Sequence, residues 1–346
     1  MKKKLAIITP YLSGTGGTET VLKTVLKKIP KDVSVNLIVL GLGKETLWLS
    51  QLDSNVEITI ISPTKIKKLW GILKKIVLGN YERIICLSTE ILFIVYLIRT
   101  VFIKNYSIIS WIHFSIFNEP SVQPNKLKYA DFNLAISKGI AKQLESLGIQ
   151  SSKIGLVYNP VTQKTRIIKC NKSKPKSIGY IGRIMLDGQK NLRELFDGLG
   201  ELKPNSVTVN LWGSGEIGKC QQYIEEHEIQ QEFKWHGWVK NPWDEISNMD
   251  AVVLTSKFEG FPMALLEAIS YGIPVVSTDC PTGPSDLISF KNGYLYEIGD
   301  IHDLARKLEK VIQNNFNSKI IRKTAQEYYV ENYVDRFWNY VFKDFR

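Results

Sequence analysis

The chain has 346 residues, 44% hydrophobic and 23% charged, which suits two globular domains and excludes a disordered or low-complexity protein. Its net charge of +11 is uneven: residues 1–165 hold 22 Lys and Arg against 10 Asp and Glu, a balance of +12, while residues 166–346 come to −1. The basic first half is expected to face something anionic, such as a phospholipid surface, a phosphorylated glycolipid or a nucleic acid. Cys86, Cys170, Cys220 and Cys280 lie far apart, with no CxxC and no zinc spacing, so free thiols in a reducing cytosol are expected.

Met1-Lys-Lys-Lys leads into Leu5 to Ile8, an apolar run too short for a signal peptide and better suited to a first buried strand. Leu5–Thr9, Val33–Leu40, Val56–Ile61, Arg83–Leu87, Ser107–Ile112 and Phe132–Ala135 are apolar on both faces, as strands of a buried parallel sheet are. Helical patterns fall between them. Thr20–Ile29 is one, and Ser137–Leu147 another, with Ser137 as N-cap and Gly148 as stop. Lys65–Val77 predicts a basic amphipathic helix: Ile66, Leu69, Trp70, Leu73, Ile76 and Val77 recur at helical spacing, with lysines 65, 67, 68, 74 and 75 between them. Such a helix suits either packing on the first sheet or docking on anionic lipid. Ile91–Ile103 is the longest apolar stretch, but it carries Arg99 and falls short of the ~20 residues of a membrane span. A buried helix is expected there.

The alternation stops at Tyr158-Asn-Pro160 and the polar segment to Lys176, a candidate linker. It restarts with strands predicted at Ser177–Ile181, Val207–Leu211, Glu232–Trp235, Ala251–Leu254 and Pro274–Ser277. The pattern therefore predicts an α/β protein of two doubly wound domains, 1–165 and 166–330. The aromatic-rich tail from Ser318 to Arg346 reads as helical and in need of burial.

Four clusters fall at predicted strand ends, where open α/β sheets bind ligands. Ser256-Lys-Phe-Glu259-Gly-Phe-Pro262-Met-Ala-Leu-Leu-Glu267 joins a tight turn to a helix start near Phe261, Pro262 and Met263, whose free N–H groups make an anion site. Glu259 and Glu267 there suit two parts of one extended ligand, or an ordinary helix start with two acids. Tyr180-Ile-Gly-Arg183 through Lys190-Asn191 places two cations able to neutralise a diphosphate without metal, or simply a solvated basic loop. Gly14-Thr-Gly16-Gly17-Thr-Glu19 permits close approach to phosphate but lacks the Lys-Ser/Thr ending of a P-loop, which argues against an NTPase. His113, in Trp111-Ile-His-Phe-Ser115, either faces a cleft between the domains or packs beside Trp111.

Together these residues resemble the retaining glycosyltransferases of the GT-B fold, the glycogen-synthase-like family 4. Glu259 and Glu267 are similar to its E-x₇-E motif, Arg183 and Lys190 to its diphosphate-binding pair, and residues 14–19 to its glycine loop. Within it, Trp111-Ile-His-Phe-Ser115, Ala130–Ile140, Val157-Tyr-Asn-Pro-Val161, Leu195–Leu199 and Asp279–Pro284 resemble the lipopolysaccharide α-1,6-galactosyltransferases. The resemblance implies two Rossmann-like domains facing a cleft, with a C-terminal helix at 331–346 crossing back to the first. It implies a UDP-sugar co-substrate, UDP-galactose above all, with no further cofactor and no metal. It gives Arg183 and Lys190 the leaving group, Glu267 the ribose hydroxyls, Glu259 the sugar hydroxyls and His113 a sugar contact. N–H groups from Phe261 to Ala264 would cap the diphosphate, and Gly16 and Gly17 would approach it. Trp235-His-Gly-Trp238 resembles the base-binding segment.

The run Thr282-Gly-Pro-Ser-Asp286 departs from the Gly-Gly and Glu of many members. The resemblance also implies a lipopolysaccharide or other lipid-linked glycan as acceptor, and the basic first half, the helix at 65–77 and the free thiols suit a cytoplasmic enzyme peripheral on the inner membrane face. UDP-glucose or UDP-N-acetylglucosamine transfer to capsular, exopolysaccharide or teichoic-acid acceptors stays open. So does a sugar-binding module without catalysis. A nucleic-acid-binding protein is disfavoured, because no helix-turn-helix, zinc-finger or RNP-like signature appears.

Overall fold

A computed structural model describes residues 2–12, 16–43, 46–61, 65–170 and 175–344, with 65–68 described by backbone alone. Gly14 of the glycine loop, residues 171–174 of the expected linker, Phe345, and the side chains of Lys65, Ile66, Lys67 and Lys68 lie outside the described residues. The chain divides into two compact units, residues 1–160 with 331–346, and residues 161–330.

The first unit contains strands β1 (Lys3–Thr9), β2 (Val33–Val39), β3 (Val56–Ile60), β4 (Arg83–Cys86), β5 (Ser107–Trp111), β6 (Phe132–Ala135) and β7 (Ile154–Leu156). They form one parallel sheet in the order β3-β2-β1-β4-β5-β6-β7. Helices α1 (Gly17–Leu26), α2 (Lys65–Leu78), α3 (Thr89–Val101) and α4 (Lys138–Ser146) connect them. On one face, Ala6, Ile8, Ile38 and Ile84 of the sheet pack against Ile72 and Ile76 of α2 and Ile91, Leu92, Val95 and Ile98 of α3. Each Ile, Leu or Val side chain among them contributes roughly 1.5–3 kcal/mol when fully buried. The apolar stretch at 91–103 is thus core, in a helix that ends at Val101. Ser88 caps it, accepting from the Ile91 N–H at 3.3 Å, and Ser137 caps α4, accepting from Ile140 at 3.1 Å. Gly148 ends the following turn in the left-handed region, φ +81°. The expected apolar face of α2 is divided: Ile72 and Ile76 are buried, while Leu69 and Trp70 are 57% and 68% exposed.

The last helix, α11 (Val330–Val341), belongs almost entirely to this first unit. Phe337 meets Trp111 at 4.8 Å between ring centroids, and the Trp338 indole donates to the Lys28 carbonyl at 2.9 Å. The tail is not one helix. After α10 (Ser318–Lys323) a 3-10 turn and an extended Tyr329 intervene, because the Val161 N–H claims the Tyr328 carbonyl at 2.8 Å.

The second unit contains β8 (Lys176–Ile181), β9 (Val207–Trp212), β10 (Glu232–Gly237), β11 (Ala251–Leu254), β12 (Val275–Thr278) and β13 (Gly293–Tyr296), all parallel, in the order β10-β9-β8-β11-β12-β13. Its helices are α5 (Leu192–Gly200), α6 (Ile217–Glu226), α7 (Met263–Tyr271), α8 (Pro284–Leu287), α9 (Ile301–Gln313) and α10. The division falls after Pro160, not after 165. Val161 is bonded to Tyr328, and Lys164 lies over the Tyr271 ring at 5.2 Å. The expected linker is likewise tied down where described: the Ile168 N–H donates to Tyr271 O at 3.1 Å and the Met249 N–H to Lys169 O at 2.9 Å. In each sheet the order in which strands are added reverses at the founding strand, between β1 and β4 and between β8 and β11. Such a switch point opens a crevice at the carboxyl ends of the strands.

Candidate donor site

The second unit's crevice is lined by the segments after β8 and β11. Beyond β8, the Tyr180 hydroxyl donates to Arg183 O at 2.7 Å and fixes the turn. Gly213, after β9, has φ +150°, and a Cβ there would stand 1.8 Å from Gly182 O, so only glycine allows these strand ends to meet. The exposed Arg183 guanidinium donates to Gln189 Oε1 at 2.5 Å. Gln189 in turn donates to Phe258 O at 3.1 Å and accepts from the Lys257 N–H at 2.9 Å. The buried Thr255 hydroxyl reaches the carbonyls of Lys190 and Asn191 at 3.1 and 3.0 Å. These bonds lock the two segments together. Lys190 Nζ then donates to Glu259 Oε1 at 2.7 Å, with both side chains largely buried.

Glu259 is held from behind, because the Thr282 hydroxyl donates to its carbonyl. Gly283 has φ +100°, and a Cβ there would lie 2.6 Å from Pro262 Cδ. The run that departs from the family pattern therefore supports the start of α7. That helix begins at Met263, with Pro262 as the residue before it. The first bonds come from the N–H groups of Leu265 and Leu266 to Pro262 O, at 3.1 and 3.2 Å. The N–H groups of Met263 and Ala264 precede them and are free of the helix ladder. Pro262 has no N–H, so the expected set of donors from Phe261 to Ala264 loses one member.

Glu267 lies one turn further along α7, about 6 Å up the axis. Its Oε2 accepts from the Trp243 indole at 2.6 Å. Burial raises its pKa, opposed by the Trp243 bond and by Lys164. Trp238 follows Gly237 at the end of β10 and is 54% exposed. Gly237 O accepts from the Gly213 N–H at 2.8 Å, which brings this segment to the same sheet end as Arg183.

Gly16, Gly17 and His113 belong to the first unit. Gly16 caps α1, its carbonyl accepting from Glu19 and Thr20 at 3.1 and 3.2 Å, so the Gly17 N–H starts an open helix end after β1. His113 follows β5 and is buried, 4.6 Å from the Trp111 ring. Neither of its ring nitrogens has a partner among the described residues. Burial pushes its pKa down to about 3, so the ring is neutral and can both donate and accept. Among the described residues, no three His, Cys, Asp or Glu side chains stand together to hold a metal ion.

This arrangement gathers Arg183, the Lys190–Glu259 pair and the open start of α7 beyond the carboxyl ends of β8 and β11. The family description "Glycosyl transferases group 1" matches residues 162–328. Over 98% of both chains the protein is 34% identical to lipopolysaccharide 1,6-galactosyltransferase of Salmonella typhimurium (strain LT2). The chain belongs to the group 1 glycosyl transferases. The Escherichia coli (strain K12) lipopolysaccharide 1,6-galactosyltransferase is 31% identical over 96% of both chains. The apo structure of the lipopolysaccharide outer core galactosyltransferase WaaB superposes with a TM-score of 0.87 at 33% identity, covering 98% of this chain and 99% of that one. Anabaena Alr3699/HepE in complex with UDP-glucose shares the fold, with a TM-score of 0.78 at 17% identity and 98% and 99% coverage. The group 1 glycosyl transferase thus has the GT-B architecture of two Rossmann-like α/β units. Its sequence does not disclose Trp243, Thr255 or Thr282 as parts of the site, since each acts through a partner 23 to 65 residues away.

Proposed function

We propose that this transferase moves galactose from UDP-galactose onto a lipopolysaccharide core or related lipid-linked surface glycan, retaining anomeric configuration and needing no metal. The observation that carries the reading is the 34% identity, spanning 98% of both chains, with a protein named for that reaction. The bond from C1 to the β-phosphate oxygen breaks. The acceptor hydroxyl oxygen bonds to C1 on the same face, and its proton passes to the departing phosphate. Negative charge grows on that phosphate, where Arg183, Lys190 and the N–H groups of Met263 and Ala264 stabilise it. Donors of this kind are each worth roughly 2.7–4 kcal/mol in the transition state. Glu259 accepts from hydroxyls of the transferred sugar and Glu267 from the ribose. Trp238 serves the base, Gly16 and Gly17 admit the diphosphate, and neutral His113 bonds a sugar hydroxyl.

The test is UDP release from UDP-galactose, UDP-glucose and UDP-N-acetylglucosamine, with and without core oligosaccharide and with EDTA. UDP-galactose should be used fastest, acceptor should stimulate release, and EDTA should leave the rate unchanged. Faster use of another donor, or loss of activity in EDTA, overturns the corresponding part of the reading.

We further propose that the enzyme works as a peripheral protein on the inner face of the cytoplasmic membrane. The +12 balance of residues 1–165 and the exposed Leu69 and Trp70 on basic α2 support this. Among the described residues no helix is long and apolar enough to cross a membrane. Failure to float with anionic liposomes at low salt would retire the idea.

A further inference from the structure

A cavity of about 640 Å³ opens between α2 and the β1–β3 side of the first unit's sheet. That is within the size range of small-molecule sites. Its wall holds a polar chain in which the Thr59 hydroxyl donates to Asn36 Oδ1 at 3.0 Å and the Asn36 amide donates to the Tyr81 phenol oxygen at 3.1 Å. Since that oxygen accepts from Asn36, the phenol's own hydrogen is left to donate. Three lysines line the same space. Lys75 is paired with Glu57 at 3.1 Å. Lys4, which lies over the Tyr81 ring at 5.6 Å, and Lys74 have no carboxylate partner among the described residues. Two more lining residues are apolar and face water: Ile60 is 58% exposed and Leu78 74%. The cavity thus combines uncompensated cations and a hydroxyl donor with an apolar lip.

We propose that this cavity binds one anionic phospholipid. The phosphate lies among Lys4, Lys74 and the Tyr81 hydroxyl, and the first carbons of the acyl chains lie on Ile60 and Leu78. A free phosphate would leave the apolar lip in water, and a zwitterionic lipid would bring its own cation to the lysines. The site goes beyond general attraction of a basic surface, because it is saturable and selects by head group. It shares no residue with the donor site, so UDP release tests that reading and lipid binding tests this one.

The experiment is calorimetric titration of the full chain with dihexanoyl-phosphatidylglycerol below its micelle concentration. Dihexanoyl-phosphatidylcholine and inorganic phosphate serve as the other arms. Saturable binding of phosphatidylglycerol is expected, at least tenfold tighter than either alternative. The double variant Lys4→Ala/Lys74→Ala and the single variant Leu78→Glu should each weaken it at least tenfold. All three positions are exposed, and UDP release should match the wild type. Equal binding of inorganic phosphate overturns the lipid assignment. Unchanged phosphatidylglycerol binding in both variants overturns the site.

Discussion

Lys190 is bonded to Glu259, so the group that would meet the diphosphate is coupled to the group that would meet the sugar. Lys190→Ala should cut turnover at least about a hundredfold. Arg183→Ala, at an exposed position, should do the same with an unchanged melting temperature. Near-normal steady-state rates in folded variants would remove both residues from the mechanism. His113 gives a different signature. Its pKa falls from 6.5 to about 3 through burial. Between those values the unfolded chain holds a proton that the folded chain refuses, so stability is retained above pH 6.5 and lost as pH falls towards 3. His113→Leu should flatten the fall of melting temperature between pH 6.5 and 4, and equal slopes would show that the folded ring takes the proton. The sequence displays Arg183, Lys190, Glu259 and Glu267 openly, because each sits in a recognisable motif. It hides Trp243, whose indole fixes Glu267, since an isolated Trp in a 3-10 turn carries no local signal.

The start of α7 depends on the segment after β12. Gly283 holds a φ that side chains avoid and lies against Pro262. Gly283→Ala should therefore destabilise the protein by about 1–3 kcal/mol and weaken UDP binding together. Calorimetry and UDP titration check this, and an unchanged melting temperature would mean the loop gives way freely. Some strands are plain in the sequence: β6 and β11 occupy the expected residues. β7 and β13 are not, since each carries a glycine, which weakens a strand signal. They become strands because a parallel neighbour supplies their hydrogen bonds. On α2, the apolar spacing was visible, but which members stay in water was decided by where the sheet begins to cover the helix. Trp70→Glu should reduce flotation with anionic vesicles severalfold, and undiminished flotation would place the contact elsewhere.

At the scale of the whole molecule, charge is the organising asymmetry. If the first unit attracts membrane through its excess of 12 positive charges, vesicle binding should fall steeply between 0.05 and about 0.5 M salt, as screening shortens the reach of each charge. Salt-insensitive binding would point to apolar insertion instead. The two-unit plan was legible from the repeated alternation of strands and helices. The boundary after Pro160 was not, because the pairing of Val161 with Tyr328 joins residues far apart in sequence.

The first unit is finished only by α11, which lies beyond the whole second unit. On a ribosome, Trp111 and Lys28 emerge long before the Phe337 and Trp338 that cover them. At roughly 5–20 residues per second, the interval needed to make residues 161–330 is about 9–34 s. Throughout it, the wall beside His113 stays bare. A nascent chain cut short before α11 would leave Trp111 and Lys28 without the side chains that cover them. The packing of the first unit therefore waits on one of the last-made helices.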